Sequence, residues 1–181
     1  MRIEAQPVKK PEVNKTFRFG VGMMIRCQGK WLVGVKDQKL IRDGIQSIYQ
    51  TIGMPQGGVL IDEDVWCALE REMGEEIGIS IKNRDLSLIA AYPKLTVYQI
   101  PAAILAGKTN PTQYGEGQVH QWFMFEWRGN EVELVMNNPG IEFSKLKLMT
   151  AKDILADTEL PGFKRELYSE IFAFAERILG R

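Results

Sequence analysis

The chain has 181 residues, a length that suits one domain with a single hydrophobic core. Its 23 Lys and Arg residues balance its 23 Asp and Glu residues, so net charge predicts no particular partner, and we expect no DNA-specific binding. No apolar run approaches the roughly 20 residues that span a bilayer, so we expect no membrane segment. Two cysteines without CxxC spacing argue against a sulfur-bound metal and suit a reducing cytoplasm.

The first part of the chain predicts an arm, two strands and a loop. Residues 1–15 have no apolar segment typical of a secretory signal and predict a flexible N-terminal arm, which leaves 16–181 as a single domain. Apolar residues predict strands over 18–26 and 31–36. Residues 37–50 are polar and irregular, and we expect a loop there.

Residues 57–79 (GGVLIDEDVWCALEREMGEEIGI) are the most informative stretch. Apolar residues at every fourth position predict a helix with one buried stripe, formed by Val65, Leu69, Met73 and Ile77. Asp62 or Asp64 can cap the start of this helix, and Gly78 can end it. Cys67 falls inside the helix and is predicted to be a small buried apolar residue.

Three glutamates of this helix form a candidate metal site. Glu72, Glu75 and Glu76 lie at i, i+3 and i+4, so they share one helix face. Clustered carboxylates repel each other, and a divalent cation would relieve that repulsion. Mg²⁺ suits the site because it binds carboxylate oxygens together with substrate phosphates. Taken alone, the three glutamates would favour a solvated acidic helix face.

The rest of the chain predicts further strands and two helices. We expect strands over 86–92, 95–106 (broken by Pro101), 119–127 and 145–149, a loop over 108–117, and helices over 150–156 and 163–179. The last helix has an apolar face made of Leu167, Ile171, Phe174, Ala175 and Ile178. In the strand over 119–127, His120 is expected to be structural, and one of Trp122 and Phe123 should face the core. Strands interrupted by two substantial helices indicate an α/β fold with a mixed sheet covered on both sides.

The helix and the loop before it resemble a known signature. Its fixed positions are Gly57, Glu63, Arg71, Glu72, Gly74, Glu75, Glu76 and Gly78, with aliphatic residues at 73 and 79. In type and spacing these positions fill the Nudix box, so the chain is similar to the Nudix hydrolases. The resemblance implies a Nudix-type α/β/α sandwich with a mixed β-sheet between helices. It also implies metal-dependent hydrolysis of a nucleoside 5′-polyphosphate linkage.

Sequences outside the box resemble one branch of that family, the RNA 5′-pyrophosphohydrolases and dinucleoside polyphosphate hydrolases. The matching elements are Phe17-Arg18, Pro55-Gln56-Gly57-Gly58-Val59, Tyr98 ahead of Pro101, Gly117-Gln118 with Trp122-Phe123, Glu142-Phe143, and Phe163-Lys164-Arg165 with Tyr168. Two departures concern the substrate more than the reaction. Residues 49–54 (YQTIGM) replace the Trp-Gln-Phe that the branch has before the proline, and Val97 replaces its usual arginine.

The resemblance implies a role for each residue of the box. Five groups would bind Mg²⁺ or Mn²⁺: the carboxylates of Glu72, Glu75, Glu76 and Glu142, and the backbone carbonyl of Gly57. Glu142, from a loop across the site, would be a further ligand or the general base. Arg71 would lie on a different helix face from Glu75 and would pair with Glu63, which orients the catalytic carboxylates. Direct contact between Arg71 and a phosphate is the alternative.

The resemblance also implies a set of substrate-binding residues. They are Arg18, Gln56, Tyr98, Phe163, Lys164 and Arg165. The three basic residues would bind the polyphosphate, for which surface solvation is the alternative. Phe163 and Tyr98 could stack on a base, for which core packing is the alternative.

The leading hypothesis is therefore a cytoplasmic hydrolase whose substrate is an RNA 5′ end or a dinucleoside polyphosphate. A pyrophosphatase acting on free nucleoside triphosphates or nucleotide sugars is an alternative within the same class. A non-catalytic nucleotide or RNA sensor on this fold, or an interaction domain, would come from a different class.

Overall fold

One mixed β-sheet organises the chain. The computed structural model describes residues 17–42, 45–101, 117–136 and 142–180. Within them lie the strands β1 (Phe17–Cys27), β2 (Lys30–Arg42), β3 (Ile45–Gly53), β4 (Gln56–Gly58), β5 (Leu86–Ala91), β6 (Thr96–Gln99), β7 (Gly117–Trp127) and β8 (Lys145–Met149). The helices are α1 (Val65–Ile77), α2 (Glu131–Met136), α3 (Ala151–Ala156) and α4 (Gly162–Ile178). The strand order is β3-β2-β1-β7-β5, with β4 on β1, β6 on β7 and β8 on β2.

The centre of the sheet is the parallel pair β1 and β7, aligned from Phe17 opposite Gly117 to Cys27 opposite Trp127. All other pairs recorded in the sheet are antiparallel. Both strands are buried almost throughout because each face of the sheet is covered. Trp122 and Phe123 are both buried, but they belong to different cores on opposite faces. Both residues are therefore buried in a core, whereas the sequence predicted this for only one of them.

Helices cover the two faces of the sheet and confirm the predicted sandwich. The four stripe residues of α1 pack in the core that contains Phe123. Leu167, Ile171, Phe174 and Ala175 of α4 pack in the core that contains Trp122. Ile178, predicted on the same face, is exposed because the helix ends there. No described helix is long and apolar enough to cross a bilayer.

The end residues of α1 follow the sequence prediction closely. The carboxylate of Asp64, and not that of Asp62, accepts from the backbone N–H groups of Trp66 and Cys67 at 2.8 and 2.9 Å. Gly78 ends the helix with φ 69°, a left-handed conformation that favours glycine. Cys67 is exposed and its thiol donates to Asp64, so the prediction of a buried cysteine is wrong. Cys67 lies in the first turn, on the same side as the cap, rather than on the apolar stripe.

The predicted loop over 37–50 is wrong, because β2 and β3 form a long antiparallel pair running from Gly34 opposite Gly53 to Arg42 opposite Ile45. β3 is an edge strand. An edge strand can carry polar residues on both faces, so it lacks the alternating pattern that predicts strands. Helix α2 was not predicted either. Most of the predicted loop over 108–117, and the end of the strand predicted over 95–106, lie outside the described residues.

Candidate active site

The carboxylates of α1 face the backbone of β4. Glu76 is only 1% exposed and Glu72 is also buried, whereas Glu75 is exposed. Burial raises the pKa of Glu72, an effect that Arg71 partly offsets. A Cβ atom added at Gly57 would lie 1.7 Å from the Glu72 carboxyl carbon. Only glycine therefore lets the backbone of β4 approach this carboxylate so closely.

Arg71, in the middle of α1, forms ion pairs with three glutamates. Its guanidinium forms two 2.8 Å bonds to Glu63, and it also donates to Glu72 at 2.6 Å and to the Gly58 carbonyl at 2.7 Å. The pairing with Glu63 that we predicted is present, and this hydrogen bond lowers the pKa of Glu63. The predicted separation from Glu75 is wrong, since Arg71 Nη1 lies 3.2 Å from Glu75 Oε2. The long side chain reaches one turn along the helix.

Lys36, which the sequence interpretation did not single out, joins the cluster from β2. Its Nζ lies 3.2 Å from Glu76 Oε1 and 2.5 Å from Glu142 Oε2. Burial acts to lower the pKa of Lys36, but Glu76 and Glu142 outweigh burial and raise it. Glu142 reaches the site because Ser144 N–H donates to the Val35 carbonyl at 2.8 Å, next to Lys36.

Glu76 is the most deeply buried carboxylate of the cluster. Besides Lys36, it accepts the backbone N–H of Gln56 at 2.6 Å. Burial raises its pKa to about 8, although both partners favour the charged form. A positive charge beside Glu76, from Lys36 or from a bound cation, favours its ionised form.

The side chain of Gln56 leads away from the carboxylates into a polar network. Its Nε2 donates to Tyr98 Oη at 2.8 Å and to Gln118 Oε1 at 3.2 Å, and its Oε1 accepts from Lys164 Nζ at 3.0 Å. Tyr98 Oη also donates to Gln118. His120 stacks on Tyr98 with ring centroids 5.6 Å apart, and burial lowers its pKa to about 3. His120 is therefore neutral and structural, as we predicted.

An aromatic cavity of about 190 Å³ opens beside this network. The rings of Tyr98 and Phe163 are 5.4 Å apart, and Lys164 Nζ lies 5.6 Å from the Tyr98 ring centroid. Tyr49 and Thr51 of β3 also line the cavity. Burial, together with a smaller effect of the Lys36 charge, lowers the pKa of Lys164 to about 7. A polar cleft of about 410 Å³ adjoins the cavity and shares Lys36, Gln38, Gln56 and Gln118 with it.

The structure brings five of the six predicted substrate-binding residues to the cleft and the cavity. Arg18 lines the polar cleft and lies so close to β4 that a Cβ added at Gly58 would be 2.2 Å from its Nε. Arg165 is the exception. Its Nη2 donates to the carbonyls of Asp157 and Leu160 at 3.1 and 3.4 Å, because consecutive residues of a helix point in different directions.

Comparison with protein families matches residues 17–171 to the model of the NUDIX domain. The chain belongs to the NUDIX family. It is 34% identical over 165 residues to an RNA pyrophosphohydrolase of Mesorhizobium japonicum, covering 87% of this chain and 88% of that protein. It is 31% identical over 158 residues to an RNA pyrophosphohydrolase of Orientia tsutsugamushi, covering 87% and 89%.

Solved NUDIX structures resemble this one in fold. An Ap4A hydrolase of C. elegans superposes with a TM-score of 0.57 at 16% identity, over 87% of this chain and 97% of that one. A MutT protein of Methanosarcina mazei superposes with a TM-score of 0.58, also at 16% identity, over 91% and 99%. At this identity the likeness establishes the α/β fold alone.

The donor atoms at the NUDIX helix have the chemistry that a divalent cation needs. All are oxygens, from carboxylates and from a glycine backbone, which suits the hard cations Mg²⁺ and Mn²⁺. Among the described residues, no three acidic, histidine or cysteine side chains already converge as a ligand set. Lys36 and Arg71 hold the carboxylates instead. The close approach at Gly57 nevertheless brings the Glu72 carboxylate against the backbone of β4.

Two residues of the NUDIX site were not assigned from sequence. Lys36 ends the apolar run WLVGVK, and a charged residue in an otherwise buried strand is the signal that could have revealed it. Gln118 follows the glycine that starts β7, and it was noted only as part of a motif. Both become part of the site through strand pairing between residues far apart in sequence.

Proposed function

We propose that this protein hydrolyses the 5′-polyphosphate of a nucleotide chain, with a triphosphorylated RNA 5′ end as the substrate class. The observation that carries the proposal is the hydrogen-bonded path through Gln56, which joins a carboxylate cluster to an aromatic cavity. A polyphosphate attached to a base needs both parts at once. The relatives named RNA pyrophosphohydrolase support the same substrate.

The carboxylate end would carry the reaction. Glu72, Glu75, Glu76, Glu142 and the Gly57 carbonyl would hold Mg²⁺ or Mn²⁺. A bound divalent metal neutralises phosphate oxygens and makes a bound water more acidic. Glu142 is exposed on its loop, and so it can take a proton from water or serve as a ligand. Arg71 holds Glu72 and Glu75 in place and is a positioning residue.

The aromatic end would bind the nucleotide. Phe163 is half-buried and faces the cavity, so we assign base stacking to Phe163. Tyr98 is buried between His120 and Phe163, and this position favours the alternative role of supporting Phe163. Arg18 in the cleft and Lys164 in the cavity would bind the phosphates between the two ends.

We also propose that the protein is cytoplasmic. Both cysteines are free thiols, and this suits the reducing cytoplasm.

Product analysis on three substrates tests the proposal. Triphosphorylated RNA, diadenosine tetraphosphate and deoxynucleoside triphosphates are compared with Mg²⁺, with a chelator, and with Glu75→Gln as the control variant. Release of pyrophosphate or phosphate from RNA, lost with the chelator and in the variant, is the expected result. Preference for diadenosine tetraphosphate would make the protein a dinucleoside polyphosphate hydrolase. Preference for free triphosphates would make it a nucleotide pyrophosphatase. Binding without turnover on all three would overturn the hydrolase proposal in favour of a sensor.

A further inference from the structure

Lys36 connects two carboxylates that come from distant parts of the chain. Glu76 lies in α1 and Glu142 lies in the loop before β8, and the ammonium of Lys36 contacts both. The same nitrogen lies 4.6 Å from the centre of the Phe143 ring, a cation–π distance. Lys36 is thus the electrostatic link between the NUDIX helix and the loop that faces it.

The oxygens that Lys36 contacts belong to carboxylates that would bind a divalent cation. Glu76 is buried, and its carboxylate is paired with the positive charge of Lys36. A divalent ion bound between Glu76 and Glu142 would repel the ammonium at short range. The ion and the ammonium therefore cannot both occupy the same carboxylate oxygens.

Lys36 and Arg71 differ in how readily their side chains can move away from the carboxylates. Arg71 is held by Glu63, Glu72, Glu75 and a backbone carbonyl, which together hold its planar fork in one orientation. Lys36 carries a compact charge on a flexible four-carbon stem, which lets the ammonium move. Its neighbour Gln38 lines the polar cleft, as Lys36 itself does, so the ammonium has a polar space into which it can move.

We propose that Lys36 is an exchangeable counter-ion, which pairs with Glu76 and Glu142 and leaves them when the divalent ion binds. This inference rests on the proposed function, since it concerns the metal of the same site. It has two consequences. The ion binds less tightly than the carboxylates alone would allow, because it must displace a bound cation. Once the ion has bound, the ammonium no longer pairs with Glu76 or Glu142 and stays in the cleft, where an anionic substrate can meet it.

Direct measurement of Mn²⁺ binding, without substrate, tests the exchange. Isothermal titration compares the wild type with Lys36→Met, which removes the charge and keeps the length of the side chain. Lys145→Met is the matched control, because Lys145 is exposed on β8 opposite Val35 and loses the same charge. We expect Lys36→Met to bind Mn²⁺ about tenfold more tightly, and Lys145→Met to bind like the wild type.

The outcomes separate this inference from the proposed function. Unchanged or weaker Mn²⁺ binding by Lys36→Met, beside normal binding by the wild type, would overturn the exchange and leave the hydrolase proposal standing. A wild type that binds no Mn²⁺ would overturn both. Circular dichroism checks that the variant folds, and Lys36→Gln replaces it if it does not. Lys36→Arg keeps the charge, so tighter binding in that variant would also contradict the exchange.

Discussion

The carboxylate end and the aromatic end of the site differ in how their charged side chains are paired. At the carboxylate end, Lys36 and Arg71 each contact two or more glutamates. At the aromatic end, Lys164 donates to an amide oxygen, and among the described residues it pairs with no carboxylate. Each cation of the first end is paired with carboxylates, while the second end holds a half-buried cation that has an amide oxygen as its partner. This difference favours an anionic ligand at the second end.

Gln56 is where the two ends meet. Its backbone binds Glu76, and its side chain binds Lys164 and Tyr98. Changes at the carboxylate end should therefore affect turnover, and changes at the aromatic end should affect affinity. The predictions below test this division.

Glu76→Gln should have the largest effect, a loss in kcat of about 10³-fold, because the neutral amide cannot replace a buried carboxylate beside a metal. Steady-state kinetics on the preferred substrate measures the loss. Glu70→Gln is the matched control, since it makes the same change on the same helix, where Glu70 accepts from Ser80. Similar losses in both variants would contradict a special role for Glu76.

Arg71→Ala should lower kcat by about 10²-fold with a much smaller change in KM, because Arg71 orients Glu72 and Glu75 without touching the substrate. Arg71→Lys should recover only part of the activity, since one ammonium cannot form the paired bonds to Glu63. A defect confined to KM would instead indicate direct contact between Arg71 and a phosphate.

Phe163→Ala should weaken substrate affinity by about tenfold and leave kcat nearly unchanged, because loss of one base–aromatic stack costs on the order of 1–3 kcal/mol. Binding of triphosphorylated RNA to the Glu75→Gln background measures the affinity directly. Phe163→Trp keeps an aromatic face and is the control. An equal loss of kcat would place Phe163 in the reaction and break the division.

Lys164→Met should make the protein more stable by about 1 kcal/mol near pH 7, because the half-buried ammonium has no carboxylate partner among the described residues. Its pKa of about 7 in the folded protein lies below the ordinary value of 10.5. Between these values the unfolded chain binds more protons, so wild-type stability rises with pH across that window. The gain from Lys164→Met should accordingly be full below about pH 7 and fade toward pH 10.5, which urea unfolding at several pH values would reveal. A gain that does not vary with pH would contradict this cause.

Arg165→Ala should have the smallest effect, less than about twofold on kcat/KM, since its guanidinium binds carbonyls away from the cleft. A loss as large as that expected for Phe163→Ala on the same substrate would show that Arg165 turns toward the ligand.

The predictable parts of the molecule are those that depend on neighbours in sequence. The helix α1, its cap at Asp64, its end at Gly78 and the pairing of Arg71 with Glu63 all follow from spacing within about 20 residues. Capping, apolar periodicity and close ion pairs are local effects. This is why the helix of the site could be described before the fold.

The parts that could not be predicted depend on distant contacts. Lys36 meets Glu142 across 106 residues, and only the pairing of β2 with β8 brings them together. The long hairpin of β2 and β3 has no apolar alternation because β3 is an edge strand. The contact between Arg71 and Glu75 is a different case, because residues at i and i+4 are neighbours on a helix and their spacing alone could have predicted it.

The exposed Cys67 is a site at which this protein can be labelled chemically. Its thiol lies one helical turn before Arg71, whereas Cys27, the other cysteine, is buried in the sheet. A maleimide or spin label should therefore attach at a single position in the folded protein, without any substitution. Asp64 raises the pKa of the Cys67 thiol, so the labelling should be slow at neutral pH and faster in mild alkali. A probe placed there would report on metal and nucleotide binding from beside the helix that is proposed to bind both.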